Sequence, residues 1–183
     1  MHLSLEDNFH DVLGKACRGL GLMDEQLAQQ TGLSVEIIAA VKDGQFEETA
    51  VRKMAAVLGL GADALVALGR KKWFPQDPGP IEGLACFSTV FEDMTVNSYV
   101  VWDPETQEAA AFDTGADCSG MLGLPVKIDQ ILITHSHADH IVELARLKEA
   151  TGAPAYVSNR EPVDGAEPFA DGRTFRIGRL TVE

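Results

Sequence analysis

The sequence is poor in cysteine, in basic residues and in long apolar runs. Its three cysteines, Cys17, Cys86 and Cys118, are odd in number and widely spaced, which fits neither a disulfide framework nor a paired thiolate zinc site. Fifteen Lys and Arg stand against 28 Asp and Glu, and the net charge of −13 repels phosphate backbones and anionic lipids. No apolar run approaches the roughly 18 residues that would span a bilayer, and no export signal is visible at the N-terminus. These absences predict a cytoplasmic protein with no membrane partner, and they disfavour DNA as a partner.

A proline-rich segment divides the chain. Between Trp73 and Ile81, three of the eight prolines fall within six residues, which can neither continue a helix nor pair as a central strand. The charge also differs on the two sides, because residues 1–72 carry 8 basic and 10 acidic side chains whereas residues 73–183 carry 7 and 18. We therefore expect one domain over residues 1–72, a Pro-rich linker over 73–82 and a second domain over 83–183.

The two expected domains differ in the period of their apolar residues. Before the linker the period is helical, as at Leu13, Ala16, Cys17 and Leu20, and glycines follow the runs where helices would end. After the linker, short runs rich in Val, Thr, Tyr and Phe indicate strands, and one helix is expected over residues 141–151. The sequence thus predicts an all-α domain of five helices followed by an α/β domain.

Residues 27–38 have the layout of a helix-turn-helix, with a turn at Gly32 and a second helix capped by Ser34. Together with Ala55-Ala56-Val57-Leu58-Gly59-Leu60, they resemble the lambda-repressor-like (Cro/C1-type) domain over residues 8–70. The resemblance implies that Val35 and Glu36 are the DNA-facing residues. Neither offers a positive charge to a phosphate, so packing between subunits or domains is the alternative to DNA binding.

The densest group of metal-competent side chains follows an apolar strand. Ile131-Leu132-Ile133 runs into Thr134-His135-Ser136-His137-Ala138-Asp139-His140, which holds four such side chains within six residues. In extended backbone, residues two apart face the same way at about 6.6 Å, so His135 and His137 can converge on one cation. Asp139, two residues further along, faces the same way, whereas the start of the next helix must turn His140. These two side chains can therefore bind a second ion. The spacing predicts a dinuclear metal site.

This run resembles the signature of the metallo-beta-lactamase superfamily. Val96-Asn97-Ser98-Tyr99-Val100-Val101 and Ala111-Phe112-Asp113-Thr114-Gly115 are similar to the two strands that precede the signature there. Residues 144–156 resemble the helix and strand that follow it, especially in hydroxyacylglutathione hydrolases (glyoxalase II). The likeness covers residues 84–183. It implies an αββα sandwich and a metal-dependent hydrolase whose partner is a small-molecule ester or thioester substrate.

Carried over onto this sequence, the resemblance implies that His135 and His137 hold the first metal, and that Asp139 and His140 hold the second. Asp139 would also orient the metal-bound hydroxide and is the expected catalytic residue. Asp113 would fix the histidine loop from behind the ligands, and a plain turn before Gly115 is the alternative reading of that residue. The expected cofactor is zinc, as one or two ions, with iron or manganese as alternatives.

The resemblance also implies that only the N-terminal half of the sandwich is present. No histidine follows His140, and residues 81–183 amount to 103 residues where a two-layer sandwich needs roughly 200. We expect either a truncated chain, a second polypeptide that completes the sandwich, or self-association through the uncovered face.

Three other functions stay open beside the hydrolase. The first is a helix-turn-helix transcription regulator with a metal- or ligand-sensing C-terminal domain. The second is an iron persulfide dioxygenase, which shares the histidine motif, and the third is a truncated inactive form.

Overall fold

The computed structural model describes residues 5–92 and 94–183. The chain splits into two compact units, one formed by Asp7–Pro75 and the other by Gln76–Glu183 together with Leu5 and Glu6. No helix in the described part of the chain combines the length and apolar character that a bilayer crossing requires.

The first unit contains five helices around one apolar core. Leu13, Leu27, Ile38 and Met54 are fully buried in this core, and each comes from a different helix. Gly21, Gly32 and Gly59 follow three of the helices in the left-handed conformation that suits a helix end. The helices are α1 (Phe9–Leu20), α2 (Asp24–Thr31), α3 (Val35–Lys42), α4 (Glu48–Leu58) and α5 (Ala62–Gly69).

The second unit is built on one mixed sheet of six strands, in the order β1-β2-β3-β4-β5-β6. The first three strands pair antiparallel, and β3 to β6 pair parallel. The strands are β1 (Leu84–Phe91), β2 (Met94–Trp102), β3 (Glu108–Phe112), β4 (Lys127–Ile133), β5 (Ala155–Ser158) and β6 (Glu167–Phe169), and a separate antiparallel hairpin is formed by β7 (Phe175–Ile177) and β8 (Leu180–Val182).

Side chains of β4 alternate between the two faces of this sheet. Ile131 and Ile133 pack with Leu144 and Leu147 on the side covered by helices, whereas Leu132 packs with the hairpin on the other side. The helices on the covered side are α6 (Ser119–Leu122), α7 (Ala138–Ile141) and α8 (Leu144–Thr151).

The predicted α/β character of the C-terminal region is therefore confirmed. The single helix expected over residues 141–151 is wrong at its start, because Ala138–Ile141 forms a separate short turn of helix and α8 begins at Leu144. A second large sheet, which an αββα sandwich requires, does not occur among residues 5–92 and 94–183, where the β7–β8 hairpin packs on the far face.

Candidate metal centre

The histidine motif lies where β4 leaves the sheet. β4 ends at Ile133, and the next four residues lead into α7, whose first turn carries Asp139 and His140. The ring centroid of His135 lies 4.5 Å from that of His137 and 4.1 Å from that of His140. The fold thus gathers three imidazoles at the carboxyl end of one central strand.

Asp113 lies directly behind these rings, at the end of the neighbouring parallel strand. It follows β3, and its backbone N–H donates to the carbonyl of Leu132 on β4. Its carboxylate accepts from the backbone N–H and the hydroxyl of Thr134, each at 2.7 Å, and contacts His140 Nδ1 at 2.9 Å. Asp113 is 4% exposed, so these bonds are sheltered from water. The structure therefore places Asp113 in direct contact with one of the four residues expected to hold metal.

The next two residues, Thr114 and Gly115, complete this support. Thr114 donates from both its N–H and its hydroxyl to the carbonyl of His140, at 2.9 and 3.0 Å, and thereby fixes α7. Gly115 has φ +62, and a Cβ there would lie 2.8 Å from both Ser98 Oγ and Thr89 Oγ1. Only glycine fits this turn, because any side chain would meet the packed hydroxyls as well as an unfavourable φ.

The protonation of the histidines depends on their neighbours. Burial lowers the pKa of His135, and the positive charge that His140 and His137 can carry lowers it further. For His140, burial alone would lower the pKa, but the hydrogen bond and negative charge of Asp113, with the charge of Asp139, outweigh it and raise the pKa. His135 is thus favoured in the neutral form that a metal ion requires.

Asp139 and His140 form a buried pair of groups that can each offer a lone pair to a cation. Asp139 Oδ2 lies 3.4 Å from His140 Nε2, and the two side chains are 13% and 10% exposed. When His140 donates its Nδ1 proton to Asp113, its Nε2 presents a lone pair toward the Asp139 carboxylate. Two such groups repel unless a cation lies between them, either a proton on Nε2 or a metal ion.

These side chains fit a zinc or iron site in chemistry but supply only part of a ligand set. Imidazole nitrogens and a carboxylate are ordinary ligands for both metals, and zinc usually takes four ligands. Among residues 5–92 and 94–183, however, no group of three or more His, Cys, Asp or Glu side chains is placed to hold one ion. The histidine motif therefore needs further ligands, from water or from other residues, to bind a metal tightly.

Sequence reasoning assigned no role to two neighbours of the motif, Thr134 and Glu161. Glu161 Oε2 accepts from the N–H and the hydroxyl of Ser136, at 3.0 and 3.2 Å, and so ties the loop after β5 to the residue between His135 and His137. Those hydrogen bonds lower the pKa of Glu161. Nothing in the sequence indicates this contact, because it joins positions 25 residues apart through two loops.

A cleft of about 700 Å³ begins at Ser136, beside the histidine motif. It runs between α7, α8 and the loop after β5, and its walls combine aliphatic side chains with one serine, one lysine and one aspartate. Such a cleft has the size of a small-molecule site. Its lining consists of Ser136, Ile141, Val142, Leu144, Ala145, Lys148, Pro162, Val163, Asp164 and Gly165.

The residues expected to face DNA lie in the helical unit. Val35 and Glu36 are the first two residues of α3, half-buried and exposed respectively. The exposed side of this helix continues with Ile37 and Ala39, and Lys42 is held by Asp24 at 2.7 Å. That surface is apolar and acidic, so it offers no free cation to a phosphate.

Residues 92–180 match the family model of the metallo-beta-lactamase superfamily, so the second unit contains a domain of that superfamily. Members of this superfamily include metal-dependent hydrolases, which bind metals such as zinc or iron.

Curated and solved relatives were also found. The chain is 34% identical over 89 residues to a hydroxyacylglutathione hydrolase of Cereibacter sphaeroides, which covers 44% of this chain and 34% of that protein. It is 35% identical over 91 residues to a hydroxyacylglutathione hydrolase of Jannaschia sp., covering 45% of this chain and 35% of that protein. The crystal structure of ETHE1 from Myxococcus xanthus matches with a TM-score of 0.44 and 22% identity, over 53% of this chain and 45% of that one. The chain thus spans about a third of the length of these curated relatives.

Proposed function

We propose that the second unit belongs to a metal-dependent hydrolase that acts on a small-molecule ester or thioester. The observation that carries this proposal is the cluster of His135, His137 and His140 at the end of β4, with Asp139 beside them and Asp113 behind them. The buried pair of Asp139 and His140 supports metal binding, because burying these two groups without a cation between them costs free energy.

In this proposal His135 and His137 hold one ion, and Asp139 and His140 hold a second. Zinc is the proposed metal, as one or two ions, with iron or manganese as alternatives. When bound, such a metal lowers the pKa of a bound water toward about 7 and polarises the substrate carbonyl. Asp139 is the proposed catalytic residue, because its carboxylate would accept a hydrogen bond from the attacking water and so orient it. Asp113 and Thr114 keep α7, and therefore Asp139, in place.

A thioester is favoured because both curated relatives quoted above are hydroxyacylglutathione hydrolases. The cleft beside Ser136 supports a small organic substrate, since its aliphatic walls suit an acyl group and it opens next to the motif. The chain covers about a third of those relatives, so the remaining walls of a substrate site would come from other residues.

The test combines metal analysis with turnover. The chain in the presence of zinc should hydrolyse a hydroxyacylglutathione thioester, and His135→Ala should lower both the zinc affinity and the activity. His10→Ala, in the helical unit, is the matched control and should leave both unchanged. Zinc that binds without any turnover would favour an inactive form. Oxygen consumption by iron-loaded protein with a persulfide would favour an iron persulfide dioxygenase instead.

The helical unit is proposed to serve packing rather than DNA recognition. Its α3 exposes Glu36, Ile37 and Ala39, and none of these donates hydrogen bonds to base edges as Arg, Lys, Asn or Gln would. A gel-shift at physiological salt, with random duplexes as probes, should show no sequence-specific complex. Selection of one sequence from such a pool would favour a transcription regulator with a metal-sensing second unit.

A further inference from the structure

Thr134 lies between Asp113 and the first histidine of the motif. Its hydroxyl oxygen is 2.7 Å from Asp113 Oδ2 and 2.9 Å from His135 Nδ1. Its backbone N–H donates to the other oxygen of the same carboxylate, also at 2.7 Å. The hydroxyl therefore bridges a buried carboxylate and the ring of His135.

The single hydroxyl proton determines the direction of both hydrogen bonds. An ionised carboxylate only accepts, so at 2.7 Å the Thr134 hydroxyl must donate to Asp113. Its oxygen can then only accept from His135, which requires the proton of the neutral imidazole to lie on Nδ1. The lone pair of His135 is consequently on Nε2, the nitrogen that remains free to bind a metal.

We infer that Thr134 is a positioning residue, which fixes His135 in the Nδ1–H tautomer and so presents its Nε2 as a ligand. The use of this tautomer for metal binding rests on the proposed function, whereas the hydrogen bonds that fix the tautomer do not depend on that function. The same Asp113 oxygen that receives the Thr134 hydroxyl is 2.9 Å from His140 Nδ1. One carboxylate oxygen thereby sets the tautomers of two histidines, directly for His140 and through Thr134 for His135.

Threonine suits this role for two further reasons. Its β-branch restricts χ1, which holds the hydroxyl toward Asp113 and His135 with little loss of entropy. Its backbone N–H bond to Asp113 Oδ1 prevents the carboxylate from rotating away, so the acceptor of the hydroxyl proton is itself fixed. Replacement by serine keeps the hydroxyl, and replacement by valine keeps the shape and removes the hydrogen bonds.

The experiment compares Thr134→Ser with Thr134→Val by nitrogen-15 NMR of the histidine rings. The full chain is kept in chelator, at a pH well above the ordinary imidazole pKa of about 6.5, so that the rings are neutral and metal-free. Native protein and T134S should show His135 with a protonated Nδ1 and a bare Nε2. In T134V that pattern should be lost for His135 and kept for His140, which bonds to Asp113 directly. His10, in the helical unit, is the internal reference and should not change.

A second readout separates this inference from the proposed function. Zinc affinity, measured by competition with a chromophoric chelator, should fall about 10–100-fold in T134V and remain near native in T134S, as for other residues that orient metal-bound histidines. A changed tautomer with unchanged zinc affinity would retain the hydrogen-bond role of Thr134 and contradict its role in presenting Nε2 to a metal. Failure of the native protein to bind zinc, with the His135 tautomer as expected, would contradict the metal-binding function alone. An unchanged His135 tautomer in T134V, in a protein whose amide spectrum is native, would overturn the inference.

Discussion

The Asp113 carboxylate accepts from Thr134 and contacts His140, and all three distances lie between 2.7 and 2.9 Å. It does so from a left-handed backbone conformation, φ 59, which is unfavourable for a residue with a side chain. Asp is one of the residues that tolerate this conformation best, because its short polar side chain can bond locally. The requirement for an acceptor and for this backbone conformation both favour aspartate at this position.

Asp113→Asn removes one acceptor oxygen of the Asp113 carboxylate and keeps the shape of the side chain. The amide has one acceptor oxygen where the carboxylate has two, so one donor from Thr134 or His140 loses its partner. We expect the zinc dissociation constant to rise about 10–100-fold, measured by chelator competition. Asp171→Asn is the matched control, because Asp171 is exposed on a distant turn of the same unit. Equal affinities of the two variants would contradict a supporting role for Asp113.

A second carboxylate, Asp103, fixes the hairpin. It is fully buried and accepts from the N–H, Nε and Nη2 of Arg179, at 2.8 to 2.9 Å, and from the N–H of Glu105. These hydrogen bonds and the charge of Arg179 hold the pKa of Asp103 far below its usual range.

The pH dependence of stability follows from that shift. Because the pKa of Asp103 is lower in the folded state, its contribution is complete above the unfolded pKa of about 3.9 and is lost as the pH falls toward the folded value. Asp103→Asn should therefore destabilise the second unit at pH 6, and the gap from native protein should narrow below about pH 4. Urea unfolding across this pH range measures the difference in the free energy of unfolding between the two proteins. A difference that stays constant with pH would contradict the lowered pKa of Asp103.

At the scale of elements, the histidine motif is held where three pieces meet: the end of β4, the turn after β3 and the short helix α7. Phe112 pairs with Leu132 across β3 and β4, so the residues that follow both strands emerge side by side. Thr114 then holds α7 in place, because its hydroxyl donates a hydrogen bond to the carbonyl of His140. The turn at residues 113–115 thus supports the site mechanically, and at Gly115 it leaves no room for a Cβ.

Gly115→Ala should be more destabilising than the same change at a glycine of similar conformation in open space. Gly115 has φ +62 with two hydroxyl oxygens 2.8 Å from the position of a Cβ, whereas Gly152 has φ +70 with no heavy atom within 4 Å. Both variants carry the backbone cost of about 1–2 kcal/mol, and only Gly115→Ala adds the clash. Urea unfolding should show the larger loss for Gly115→Ala; equal losses would mean that Ser98 and Thr89 move aside freely.

At the scale of the whole molecule, the sheet of the second unit is covered unequally. Helices pack on one face, whereas the other holds the β7–β8 hairpin and an open apolar groove of about 230 Å³ lined by Phe112, Leu132, Phe169 and Phe175 among others. Leu180 on the hairpin is 40% exposed. Exposed apolar surface of this kind favours association, so we propose that a second copy of this chain packs here.

Sedimentation velocity tests this proposal. The chain should associate as its concentration rises, and Leu180→Lys should weaken the association by placing a charge on the hairpin face. Leu20→Lys, which alters an exposed apolar residue (58%) of α1, away from α3, should have no effect if the sheet face is the contact. An ideal monomer at every concentration, or equal effects of the two variants, would contradict this surface.

The sequence predicted the elements around the site better than their contacts. The match over residues 92–180 supports the expected resemblance to the metallo-beta-lactamase superfamily, and β4 was predicted from its short apolar run. The break between α7 and α8 was missed, because Thr114 and Glu143 interrupt the helix through a contact 29 residues away in sequence. The helix-turn-helix assignment of residues 27–38 and the domain boundaries stay predictions.

By itself, the sequence determined where metal-competent side chains are concentrated, because spacing of two along a strand and the position of a helix start are local properties. It also determined the charge and the absence of a disulfide pattern. Only the tertiary structure decided that Asp113 reaches Thr134 and His140, that Glu161 holds Ser136, and that one face of the sheet stays largely open. The contacts among these join residues more than 20 positions apart, and they form because parallel pairing of β3 with β4 and of β4 with β5 brings the ends of the strands to one edge.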